Sequence, residues 1–170
     1  MARGNIVNKL FASGPLFLLY YLSISEIDTN FEKLFEVFSL NLQIIIIYFW
    51  IIKRPNLMSP GHIFLAGLIN DVVMGFPLCI SSLSYLAVCF VGNYVRNKSV
   101  NTTVASDWFT FLIALLLANL LYFSLLNNFS EVAISYTKIG YNTFFTLFLF
   151  PVFWLLFNLY QMSFIGSQDA

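Results

Sequence analysis

Placement of charge constrains this chain most. Its eight basic and eight acidic residues fall almost entirely between apolar runs, and Asp71 alone lies well inside one. The run around it, Ser59 to Gly92, reads as two apolar helices folded back on each other through Gly75-Phe76-Pro77. Ser59 is suited to cap a helix, and Pro60 to occupy the first helical position, where a missing N–H costs nothing. Gly75 can adopt the left-handed conformation that ends a helix, and Pro77 is expected to restart the chain in a new first turn. Gly67, Asn70, Asp71 and Met74 recur at three- and four-residue spacing and therefore share one helical face. Ser81, Ser82, Tyr85, Cys89 and Gly92 give the returning helix a matching small, polar face. Asp71 lies about one turn before the bend and Ser81 about one turn after it, so the two are expected at similar depth. The second helix would there offer free N–H groups and the positive end of its dipole to the carboxyl.

Composition decides what surrounds this hairpin. Hydrophobic residues make up 59% of the 170-residue chain and charged residues 9%, with 20 phenylalanines. A soluble domain carries roughly a quarter charged residues, and one of this size cannot hide so much apolar surface. The expected class is therefore an all-α, polytopic membrane protein forming a single domain within the lipid bilayer. Six spans are read at about 10–25, 37–52, 60–74, 78–95, 108–126 and 140–161. Ser23-Ile-Ser25 gives the first span a rival reading as a cleaved signal, which its bulky residues and Pro15 disfavour. The acidic stretch Glu26 to Glu36 is expected as a solvated loop or short interfacial helix. Asp107 is expected to cap the fifth span, and Pro151 to break the sixth. With a cytoplasmic N-terminus, Arg3, Lys9, Lys53, Arg54, Arg96 and Lys98 lie inside and only Lys33 and Lys138 outside, as the positive-inside rule requires. Both termini are then cytoplasmic. The sparse basic residues exclude a nucleic-acid surface. Cys79 and Cys89, about 15 Å apart on one helix, cannot bridge, and no His or Cys cluster completes a metal site. No cofactor is implied.

The segment from Leu34-Phe35 through Asn97 resembles the core of the rod shape-determining protein MreD family. The resemblance rests on Gly67-Leu68-Ile69-Asn70-Asp71-Val72-Val73-Met74-Gly75-Phe76-Pro77-Leu78, then Ser82-Leu83, Tyr85-Leu86 and Arg96-Asn97. Phe150-Pro151 and Tyr160-Gln161 match in style. Two departures stand out: Cys79 occupies a position where the family usually has glycine, and a basic tail is missing. The resemblance implies a six-helix fold similar to the substrate-binding subunits of energy-coupling-factor vitamin transporters. It also implies a non-enzymatic role in bacterial cell elongation. There, such proteins pair with the bitopic protein MreC beside a RodA-type glycosyltransferase, a penicillin-binding transpeptidase and the actin-like MreB.

Each residue also has a plainer reading. A charge at the centre of a span costs ~2.5–3.5 kcal/mol on insertion scales, so Asp71 is expected to have a role. That role is read first as a structural tie to Ser81, Ser82 or backbone N–H groups, then as a partner contact, then as proton or ion handling. Gly67 and Gly75 read as packing and capping residues, His62 as interfacial, Asn119 as an interhelical hydrogen-bonder, and the Phe-rich sixth span as lipid-facing. A solute-binding transporter subunit is the alternative function, weakened because Ala12 is followed by Leu16 where such subunits carry a second alanine. A small proton-coupled carrier is the third. No catalytic residue is read: Asp71 has no His, Lys or second carboxylate placed to share its proton.

Overall fold

The computed structural model describes residues 13–25, 32–98, 104–129 and 136–165. Arg3, Lys9, the acidic residues Glu26 and Asp28, and Glu131 lie outside the described residues. Within them every regular element is a helix. These are α1 (Gly14–Ile24), α2 (Glu32–Lys53), α3 (Pro60–Met74), α4 (Ile80–Lys98), α5 (Val104–Phe129) and α6 (Tyr136–Tyr160). A single 3₁₀ turn, Pro55–Leu57, links α2 to α3, and a π turn, Gln161–Ile165, follows α6. The all-helical reading holds. Two stretches, Val104–Phe129 and Gly140–Ser163, are long and apolar enough to cross a membrane; α1, Leu42–Lys53 and α3 are apolar but shorter.

At the centre is α2, which packs against α1, α4, α5 and α6. Its run Ile44-Ile-Ile-Ile-Tyr-Phe-Trp-Ile51 is buried on every side, the mark of a helix surrounded by others. The hairpin α3–α4 flanks it through α4. Gly92 of α4 lies so close to α2 that an added Cβ would stand 3.0 Å from Ile51. At the far side an aromatic ladder seats α6 on α2 and α5. Phe111 stacks on Phe150 with centroids 4.1 Å apart, and Phe49 and Trp50 meet Phe157 and Tyr160 edge-on or tilted. The outer faces of α6 stay exposed through Phe144, Phe145 and Phe148.

Four expectations need correction. Glu32 to Glu36 are helical, as the second of the two readings had it, but they open α2 and do not form a separate short helix; Glu, Lys and Leu are good helix formers, and acids suit a helix's first turns. Asp107 does not cap α5, because the helix begins at Val104 and places Asp107 in its first turn, almost wholly buried. Pro77 does not open the returning helix, which starts at Ile80. Pro151 does not break α6, which runs through it.

The last correction has a visible cause. A proline in mid-helix deprives the carbonyl four residues back of its N–H, here that of Leu147. The indole of Trp108 on α5 donates to that carbonyl instead, at 2.9 Å. One turn on, the indole of Trp154 donates to Asp107 Oδ2 at 3.3 Å. Asn119 Nδ2 donates to Thr143 Oγ1 at 2.9 Å, so the interhelical role read for Asn119 holds. The carbonyl freed by Pro151 is thus used to fasten α6 to α5.

This arrangement predicts non-additivity. Trp108→Phe should destabilise the protein by about 1–3 kcal/mol, the cost of leaving a carbonyl unsatisfied in apolar surroundings. In a Pro151→Ala background, the new alanine supplies its own N–H to the Leu147 carbonyl, and the same Trp108 substitution should cost much less. Unfolding midpoints of the four proteins in this cycle measure the coupling.

Candidate functional site

The residues singled out from the sequence converge where α3 meets α4. Ser59 is the N-cap residue of α3 by position, with extended backbone and Pro60 next, although its hydroxyl makes no capping bond. At the other end Gly75 stands at φ +67°. Phe76 N–H donates to the Asp71 carbonyl at 2.9 Å and Gly75 N–H to that of Val72 at 3.3 Å, the paired bonds of a Schellman closure. A Cβ at Gly75 would meet nothing within 4 Å, so glycine is required there by backbone conformation and not by space. Cys79 then takes φ +77°, and its carbonyl accepts the first helical bond of α4 from Leu83 N–H at 3.0 Å.

Cys79 has no side-chain oxygen to cap α4. Asp71 supplies it from the preceding helix: Ser81 N–H donates to Asp71 Oδ1 at 2.8 Å. The N–H groups of Cys79 and Ser82 face the same carboxyl. Beside it Asn70 Nδ2 donates to Ser81 Oγ at 3.0 Å. Ser82 turns the other way and donates to the Phe64 carbonyl at 3.1 Å. Asn70, Asp71, Ser81 and Ser82 are all buried, Asp71 completely so at 0% exposure. Gly67 permits the contact. A Cβ there would lie 2.4 Å from Ser82 Cα and 2.6 Å from Ser82 N, so the two backbones touch. The structure therefore brings together Gly67, Asn70, Asp71, Gly75, Ser81 and Ser82, while Pro77 lies in the connecting turn.

Tyr85 belongs to a second polar group. Its hydroxyl donates to Gln43 Oε1 on α2. Gln43 Nε2 donates to Ser23 Oγ at 3.1 Å, and Ser23 to the Leu19 carbonyl at 3.0 Å. Tyr85, Gln43 and Ser23 are fully buried, so one chain of hydrogen bonds joins α4, α2 and α1. Ser23, read from the sequence as part of a possible cleavage motif, is a core residue within a helix. Gln43 escapes the sequence reading; its only signal there is an amide immediately before four isoleucines.

A third group lies at the opposite end, around Asp107. Tyr48 donates to the Asp107 carbonyl at 3.3 Å and shares a hydrogen bond with Thr110. Lys53 Nζ lies over the Trp154 ring, 5.4 Å from its centroid. His62 stands near this end of the bundle and takes a hydrogen bond with Tyr20 through Nδ1, 3.1 Å apart. Among the described residues no cluster of three or more His, Cys, Asp or Glu side chains could hold a metal ion. Comparisons with protein-family models, with curated proteins and with solved structures found no match.

The geometry ranks substitutions at the hairpin. Asp71→Asn should be mild, because an amide oxygen still accepts from Ser81 N–H. Asp71→Leu should cost about 1–3 kcal/mol by stranding the N–H groups at the start of α4. Gly67→Ala should be at least as damaging, since backbone atoms of Ser82 cannot step aside. Protein abundance and thermal unfolding midpoint should fall for the last two and stay near wild type for Asp71→Asn.

Proposed function

We propose that this chain is a multi-pass membrane protein of six spans, both termini cytoplasmic, that serves as a non-enzymatic scaffold in bacterial cell elongation. The observation that carries the reading is Cys79. It stands where the MreD family, which the segment resembles, usually has glycine, and its φ of +77° is a conformation that suits glycine. The other residues of the resemblance, Gly67, Asp71 and Gly75, have backbone or capping duties in the same turn. None is placed for chemistry on a substrate, which suits a scaffold better than a carrier.

The distribution of charge supports the orientation. Lys53 ends α2 with Arg54 just after it, Arg96 and Lys98 close α4, and His62 lies in the first turn of α3 between them. Antiparallel packing gathers these at one end, the end assigned to the cytoplasm. Lys98 Nζ lies 4.9 Å from the Tyr94 ring centroid as Lys53 lies over Trp154, the arrangement of basic side chains reaching toward an interface along aromatic neighbours. The partner expected on this reading is an MreC-like bitopic protein, within a complex containing the RodA-type glycosyltransferase, a penicillin-binding transpeptidase and MreB.

Depletion from a rod-shaped host should round or swell the cells, and the tagged chain should copurify an MreC-like protein. A reporter active only in the cytoplasm should give signal when fused at Asn97 or the C-terminus and none at Asp28 or Ser130. Preserved shape with a nutrient requirement corrected by excess nutrient would replace this reading with that of a solute-binding transporter subunit.

A further inference from the structure

The tie between α3 and α4 leaves two acceptors unused. Asp71 Oδ2 and Asn70 Oδ1 are both buried and have no hydrogen-bond partner among the described residues, although the residues are 0% and 2% exposed. They are not scattered. Asp71 reaches Ser81 N through its other oxygen, and Asn70 reaches Ser81 Oγ through its nitrogen. Both residues thus meet Ser81, each through its other polar atom. An acceptor buried without a donor is costly, and a pair of them around one carboxyl calls for a positively charged or donating species.

Charge arithmetic points the same way. The start of α4 presents the equivalent of about half a positive charge, which offsets part of a carboxylate's charge and leaves the rest. Among the described residues no Lys, Arg or His completes it. At the start of α4 the groups facing the carboxyl are the N–H groups of Cys79, Ser81 and Ser82 and the Ser81 hydroxyl, none of them charged, and from α5 the Tyr122 ring packs near Phe76 at the bend. From α1, Tyr20 meets α3 at His62, more than two turns away from Asp71. A divalent ion needs more anionic oxygens than a single carboxyl provides.

We propose that Asp71 Oδ2 and Asn70 Oδ1 form a buried site for one monovalent cation, a proton or an alkali-metal ion. As a proton, it forms an O–H bond on Asp71 Oδ2 that donates to Asn70 Oδ1, so that one hydrogen bond satisfies both groups. As a sodium or potassium ion, it is bound by both oxygens and neutralises the carboxylate without a bond to hydrogen. The site stands whether or not the scaffold reading holds.

The test uses the full-length protein purified in lipid nanodiscs. Thermal unfolding is compared in sodium, potassium and choline chloride at equal ionic strength, together with the infrared carboxyl bands of protein carrying isotope-labelled aspartate. Proton occupancy predicts a protonated carboxyl band at neutral pH. That band should vanish in Asp71→Asn, move to higher frequency in Asn70→Ala, and accompany equal stability in the three salts. Alkali-ion occupancy predicts a higher midpoint in sodium or potassium than in choline, a difference lost in Asp71→Asn and reduced in Asn70→Ala. An ionised Asp71 with equal midpoints in all three salts would overturn the proposal, and would mean that Asn70 turns its own N–H toward the carboxylate. A band or salt effect that follows Asp107→Asn instead would overturn it as well. Should Asp71→Asn fail to fold, the wild-type readings and the Asn70→Ala shift decide the question alone.

Discussion

The hydrogen bond from Ser81 N–H to Asp71 Oδ1 is the constraint on which the hairpin and its neighbours depend. A helix that begins inside an apolar interior has N–H groups with no partner in its own first turn, and here the acceptor comes from another helix. The residue at the N-cap position of α4 is Cys79, which has no oxygen to give. The preceding helix provides the acceptor, and the Schellman closure at Gly75 and Phe76 turns the chain sharply enough for it to reach. A costly buried carboxyl and a costly set of free donors are brought together, and each lowers the cost of the other.

From that tie the rest of the bundle follows by contact. Gly67 lets α3 lie against the backbone of Ser82, which fixes the rotation of α4 about its axis. That rotation presents Tyr85 and Gly92 to α2. Tyr85 meets Gln43, and Gln43 holds Ser23 of α1 in turn. Gly92 admits Ile51, which brings the core helix close. The other half of the bundle is secured differently, by indole N–H groups given to the carbonyl that Pro151 exposes and to the side chain of Asp107. In both halves a feature that weakens an isolated helix, a charge or a proline, becomes the fastening to its neighbour.

The α3–α4 hairpin was legible in the sequence because its signals are local. Ser-Pro at the start, Gly at the end and an acid one turn before the bend each act within a few residues, and together they fix both geometry and register. What escaped depends on contacts distant in sequence. Gln43 is an ordinary amide until Tyr85, 42 residues on, arrives beside it. Asp107 reads as a cap because it precedes an apolar run, yet Trp154 buries it. Pro151 reads as a break because the compensating donor, Trp108, lies in another helix. Pro77 reads as a helix start, but the chain needs Leu78 and Cys79 to bring the new helix's first N–H groups over Asp71. Local chemistry predicted the turn, and packing between helices decided the remainder.

The most direct test of this tie is the hydrogen-exchange rate of the Ser81 amide in wild type and in Asp71→Leu. The bond to Asp71 is the one given to that amide, and Leu removes its acceptor while the helix itself can remain. The expected result is strong protection of Ser81 in the wild type and a large loss in the variant, with amides in the middle of α4 still protected. Equal protection of Ser81 in both proteins would contradict it, and would show that α4 is capped by something other than Asp71.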